Sequence, residues 1–135
     1  MLARVDGADI FIGVAAVADY TPGPAREHKL KKSSEPLTLT LAPTVDILAT
    51  VAARANAPYC VGFAAESHDV VKLAEEKRRR KKVPLVVANR VQAALGNDDN
   101  EVTLLDDAGA HPLPRMGKLA LARTLVGEIA KRLTK

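Results

Sequence analysis

Three groups of residues in this chain have the types and spacing to handle phosphate. The first is a basic segment holding Lys29, Lys31 and Lys32. In an extended chain Lys29 and Lys31 point one way and Lys32 the other. Two ammonium groups on one side could grip a phosphate or a carboxylate; a solvated basic flap is the plainer alternative. The second group is the run Lys77, Arg78, Arg79, Arg80, Lys81, Lys82. On a helix Lys77 and Lys81 share one face, and Arg78 and Lys82 the neighbouring one. One face could meet a polyphosphate while Arg79 and Arg80 stay in water, or the whole run could simply be a solubilising surface. The third group is Gly13-Val14-Ala15-Ala16-Val17-Ala18-Asp19-Tyr20. Its Gly and Ala leave room for a planar ligand to approach the backbone. Asp19 could accept from a sugar hydroxyl or lie near a phosphate-bound metal, or it could merely cap a tightly packed helix.

Other chemistries are poorly served. There is no GxGxxG and no GxxxxGK[ST] loop. His28, His68 and His111 lie far apart and lack metal-ligand spacing, so a zinc site is not expected. No Ser/His/Asp arrangement stands out. The net charge of +4 and the basic clusters suggest an anionic partner. Nucleic acid is disfavoured, because no aromatic side chains interleave the cations for base stacking. Cys60 is the sole cysteine, which excludes an internal disulfide, and its apolar surroundings suggest a buried, inert thiol. No stretch approaches the roughly 20 apolar residues of a membrane span. The opening MLARVDGADIF lacks the pattern of a signal peptide, so a cytoplasmic protein with no membrane partner is expected.

The elements that must position these residues follow from the hydrophobic pattern. Length favours one domain over residues 1–135. The run from Asp9 to Val17 reads as a buried strand ending in small residues, and Asp19 to Glu35 as a loop, where Pro22, Gly23 and Pro24 prevent helix. Leu37 to Leu41 alternates strictly and predicts a half-exposed strand. Thr44 can cap a helix reaching about Asn56, with Asp46 in its first turn. A second buried strand is expected from Tyr59 to Ala64, then a helix from Asp69 to Lys82 burying Val70, Leu73, Ala74 and Val71. A third strand starts at Pro84. A turn over Gly96 to Asn100 precedes a strand from Glu101 to Leu105, and a further turn follows from Asp106 to His111. The last helix, from about Met116 to Leu133, would place Leu119, Ala122, Val126, Ile129 and Leu133 on the core. Strands alternating with amphipathic helices predict an α/β fold with a mostly parallel sheet and flanking helices. Ligands of such sheets bind at the carboxyl ends of the strands.

The order of motifs is more specific than any one of them. FIGVAAVADYTP, KLKK, VDIL, VGFAAES, EEKRRRKK, VVANRV and NDDNEVTLLD follow one another, and the series resembles the phosphopantothenate–cysteine ligase domain. That domain is usually fused behind a flavin-dependent phosphopantothenoylcysteine decarboxylase. The likeness runs from about Asp9 to the C-terminus. It implies a Rossmann-like fold working as a homodimer, with the basic segment in a dimerisation flap at about 19–43. It implies nucleotide contacts at Gly13, Val14, Ala15 and Asp19, at Lys29, at Val45, Asp46, Ile47 and Leu48, and at Phe63, Lys77 and Lys81. It implies CTP with Mg²⁺, 4′-phosphopantothenate and L-cysteine as ligands, with Lys29 serving acyl-cytidylate formation. No metal-ligating residue is assigned.

Three departures qualify the likeness. Val45 stands where the family has Pro. The family's segment before the first strand, with its first βα unit, is missing, and so is the decarboxylase domain, so no FMN is expected on this chain. The resemblance therefore implies a partial ligase domain. The alternative is a non-catalytic nucleotide-binding fragment, or a half needing an N-terminal ligase segment and the decarboxylase domain as partners.

Overall fold

The computed structural model describes residues 2–23, 31, 34–94 and 96–133. After a short 3-10 turn, the element order is β1 (Ile10–Gly13), β2 (Tyr20–Pro22), β3 (Leu41–Pro43), α1 (Ile47–Ala52), β4 (Tyr59–Glu66), α2 (Val70–Lys81), β5 (Leu85–Arg90), α3 (Val91–Ala94), β6 (Asp99–Asp106), β7 (Gly109–Gly117) and α4 (Lys118–Leu133). The described residues fall into two compact units. One spans Ala15–Asp46 and the other comprises the chain before and after it.

The larger unit holds a five-stranded sheet in the order β1-β4-β5-β6-β7. Strands β1, β4 and β5 are parallel, in register at Ile12↔Val61 and Val61↔Leu85. Strand β6 runs against β5, and β7 runs against β6. Four of the five strands therefore point the same way, and the mostly parallel α/β expectation holds. The apolar runs in β4 and β5 are continuous because both faces of the sheet are covered. Cys60, Ala64, Val86 and Ala88 join Val51 and Ala74 in one core, while Val61, Leu85 and Val87 join Leu104, Leu121 and Ile129 in the other. The first core lies under α1 and α2, the second under α4.

Several boundaries differ from the sequence reading, each for a physical reason. The first strand stops at Gly13 and is half exposed rather than buried, since among the described residues it pairs with β4 alone; Ile12 is 42% exposed. Helix α1 begins at Ile47, not at Thr44. The Thr44 hydroxyl donates to the Ala18 carbonyl, and its N–H donates to the Asp19 carbonyl at 2.9 Å. That side chain therefore ties two loop ends together and does not cap. In the smaller unit, Tyr20–Pro22 lies within the expected loop yet pairs antiparallel with Leu41–Pro43. The alternating Leu37 and Leu39 are exposed and lie outside this ladder.

Strand β4 continues through Glu66, and β6 starts at Asp99, inside the expected turn. Helix α2 matches its expected span, although Val71 is exposed. Asp69 precedes it in the left-handed region, φ 45°, without a side-chain capping bond. Strand β7 was not anticipated. Pro112 and Pro114 argue against a strand, but β7 is the last strand of the sheet, where a missing N–H is tolerated. Gly109, at φ 120°, opens it after the Asp107–Ala108 turn.

The buried face of α4 is also different. Leu121 and Ile129 are buried and Leu125 packs against them, whereas Leu119, Ala122, Val126 and Leu133 are exposed.

Candidate functional site

In the larger unit, the strand ends gather part of the expected set. Gly13 closes β1 opposite Gly62 of β4. A methyl group placed on Gly62 would lie 2.8 Å from Leu48 Cδ2, and one on Gly13 would lie 3.6 Å from Leu48 Cδ1. Leu48, from the start of α1, thus fills the space that both glycines leave. This close packing is what the missing side chains permit. Ile47 is half-buried beside it and packs on the first core. Val14 turns away from the sheet, 61% exposed, with its N–H donating to the Ile12 carbonyl at 3.2 Å.

The helix after β4 brings the cations. Lys77 is half-buried and donates from Nζ to the Phe63 carbonyl at 3.0 Å. Lys81, one turn on, is also half-buried. The larger unit therefore brings Gly13, Leu48, Phe63 and Lys77 into one neighbourhood at the carboxyl end of β1 and past the middle of β4, the end of such a sheet where ligands bind.

The remaining expected contacts belong to the smaller unit. Ala15, Asp19, Val45 and Asp46 are exposed there, and the Asp19 carbonyl accepts from Thr44. Lys29 and Lys32 lie outside the described residues, while Lys31 is exposed.

The basic run splits where the sequence suggested two simple faces. Arg78 is only 8% exposed. It donates from Nε to Glu75 Oε2 at 2.8 Å, from Nη2 to Glu75 Oε1 at 3.0 Å, and from Nη1 to Asp107 Oδ1 at 2.8 Å. Lys82 does not extend Arg78's face, since it lies past the helix end in the left-handed region. Arg79 shares Glu75, through a 2.7 Å bond from Nε. Glu75 stands three and four residues before these arginines, a spacing that favours side-chain pairing on a helix and was legible in advance. Hydrogen bonds from Arg78 and Arg79 hold the Glu75 carboxyl at about 2, below its ordinary 4.5. A depressed carboxylate stabilises the fold above its unfolded value and loses that contribution as pH falls through its folded value. We therefore expect stability to decline from about pH 4.5 toward about pH 2. Glu75→Gln should flatten that acid slope in urea unfolding at stepped pH, and an unchanged slope would assign it to other carboxylates.

A second ion cluster was not visible in the sequence. Asp106 accepts from Arg132 Nε and bonds His111 Nε2, each at 2.9 Å, and Arg132 also donates to Glu128 Oε2 at 2.8 Å. It joins the end of β6 to the last turn of α4. Both clusters hold the scaffold together and lie outside the strand-end neighbourhood.

Comparison with known proteins decides the family. Residues 1–133 match the model described as "DNA/pantothenate metabolism flavoprotein C-terminal domain". The chain belongs to this family. Among curated relatives, the coenzyme A biosynthesis bifunctional protein CoaBC of Vibrio vulnificus strain YJ016 is 40% identical over 135 residues, covering 96% of this chain and 34% of that protein. The protein of the same description from Bacillus subtilis strain 168 is 40% identical over 134 residues, covering 96% and 33%. The chain thus spans about a third of the length of the curated relatives it matches. A crystal structure of the C-terminal domain of CoaBC superposes with a TM-score of 0.76 at 30% identity, covering 98% of this chain and 59% of that one. The DNA/pantothenate metabolism flavoprotein of Streptococcus pneumoniae shares the fold at a TM-score of 0.77 with 18% identity, over 96% of this chain and 66% of the other. Membership of the DNA/pantothenate metabolism flavoprotein family agrees with the Rossmann-like architecture. No described helix is long and apolar enough to cross a membrane.

Proposed function

We propose that this chain is the nucleotide-binding part of a CTP-dependent phosphopantothenate–cysteine ligase acting in coenzyme A biosynthesis, in the cytoplasm and as a homodimer. The observation that carries the reading is the grouping of Gly13, Leu48, Phe63 and Lys77 at the ligand-binding end of the parallel strands. Relatives at 40% identity that bear a coenzyme A biosynthesis name support it.

In this reading the carboxylate of 4′-phosphopantothenate attacks the α-phosphorus of CTP. The bond to the β,γ-diphosphate breaks, pyrophosphate leaves, and an acyl-cytidylate remains. The amine of L-cysteine then attacks the acyl carbon and loses a proton as CMP departs. The first step brings an anion against a polyanion, so its cost is chiefly electrostatic, and fixed cations lower it. Lys77 and Lys81 supply charge from α2, and Lys29 supplies a further ammonium group for acyl-cytidylate formation. Gly13, Val14, Ala15 and Asp19 would lie along the nucleotide, as would Val45, Asp46, Ile47, Leu48 and Phe63. Magnesium arrives with the triphosphate. Among the described residues no group of three His, Cys, Asp or Glu side chains could hold a metal by itself.

The test is pyrophosphate release from CTP, 4′-phosphopantothenate and Mg²⁺, followed by product formation on adding L-cysteine. The ligase reading expects both. CTP binding with no release would favour the alternative, a non-catalytic nucleotide-binding fragment or a half that needs an N-terminal partner. In a chain extended at its N-terminus to the length of the solved C-terminal domain, Lys29→Gln should abolish acyl-cytidylate formation while the circular dichroism spectrum stays unchanged. Wild-type turnover in that variant would remove the role given to Lys29.

A further inference from the structure

The bond between Lys77 and the main chain of Phe63 occupies a particular place in the sheet. Strand β1 pairs with β4 from Ile10↔Tyr59 to Gly13↔Gly62 and then leaves. Strand β4 continues to Glu66, and its pairing with β5 is unbroken from Val61↔Leu85 to Glu66↔Arg90. From Phe63 onward, no strand among the described residues lies beside the side of β4 that faced β1. At this first residue past the divergence, Lys77 Nζ donates to the Phe63 carbonyl at 3.0 Å.

The two side chains act from opposite faces. Lys77 comes from α2, which packs on the core containing Cys60, Ala64 and Val86. The Phe63 ring packs against the other core, with Val61 and Val87. Lys77 therefore fixes the backbone from which the ring projects, reaching it from the opposite face of the sheet.

We propose that Lys77 is a positioning residue for the nucleoside end of the nucleotide. It replaces the ladder bond that β1 no longer provides and so holds Phe63 in place, whatever charge it also offers to phosphate. This role rests on the ligase reading, in which Phe63 contacts the nucleotide. It separates from a plain phosphate-binding role because cytidine carries no phosphate.

The experiment is calorimetric titration of the full chain with cytidine and, separately, with CTP and Mg²⁺. Lys77→Met should weaken both by about tenfold, the range expected for losing a charged hydrogen bond, and Lys77→Arg should restore most of the cytidine affinity. A role confined to global stability would lower the melting temperature and leave the cytidine affinity of the folded protein intact. Weakened CTP binding with unchanged cytidine binding would overturn the proposal and leave Lys77 a phosphate ligand. A second readout needs no ligand: Lys77→Met should speed hydrogen exchange at the Ala64 amide, which shares a peptide unit with the Phe63 carbonyl and faces β5, and unchanged exchange there would also overturn it. Wild-type protein that binds neither ligand, yet shows the exchange change, would sink the ligase reading and keep the main-chain role of Lys77.

Discussion

Asp106→Ala should cost the fold about 3 kcal/mol, the scale of breaking a partly buried ion cluster. Asp106 sits at the end of β6 with its side chain 17% exposed. Its Oδ1 takes the Ala108 N–H and His111 Nε2, each at 2.9 Å, and its Oδ2 takes Arg132 Nε at 2.9 Å. Alanine removes all three at once and leaves the 16% exposed Arg132 guanidinium with Glu128 alone. A loss of this size is a large share of the roughly 5–15 kcal/mol that holds a domain folded. Asp106→Asn keeps an oxygen for the turn amide but no charge for Arg132, so its cost should fall between. Urea unfolding measures both, and an alanine variant within 0.5 kcal/mol of wild type, about the scale of an ordinary surface change, would show that the cluster contributes little. Burial opposes the charge on Asp106, but the bonds from His111, Arg132 and the Ala108 amide outweigh it, and its carboxyl lies below the ordinary range. Its contribution is therefore present near neutrality and withdrawn in acid, and the gap between wild type and the alanine variant should narrow as pH falls.

Leu121→Ala should cost about 3 kcal/mol, as large-to-small changes in a packed core do, while Leu119→Ala should change stability by less than about 0.5 kcal/mol. The two leucines are neighbours on one helix but face opposite surroundings. Leu121 is 5% exposed and packs with Leu85, Leu104 and Ile129, whereas Leu119 is 67% exposed. Equal costs in paired unfolding curves would mean that α4 is rotated from the orientation described.

That contrast marks where the sequence ceased to be decisive. Ile129 belongs both to the series Leu119-Ala122-Val126-Ile129-Leu133 and to the series Leu121-Leu125-Ile129. Both fit helical spacing, and only the partner surface selects one. Leu113 and Met116 of β7 join the second series in its core, yet β7 itself was hidden by its prolines. By contrast β4, α2 and β5 could be read directly, because long apolar runs and a basic amphipathic stretch allow few other assignments. The site divides the same way. Glycines at the strand ends and the shared face of Lys77 and Lys81 were local patterns. The burial of Arg78 depends on Asp107, 29 positions away, and no spacing rule within a helix reaches that far.

The place of Cys60 in the sheet has a practical consequence. It is the sole thiol of the chain, 1% exposed, on β4 opposite Phe11 of β1, and burial pushes its pKa up. A thiol reagent must wait for β4 to come uncovered, so its reaction rate at neutral pH reports how often the sheet breathes. A single-cysteine modification assay would thus measure local opening of the strand that carries Phe63, with no engineered label.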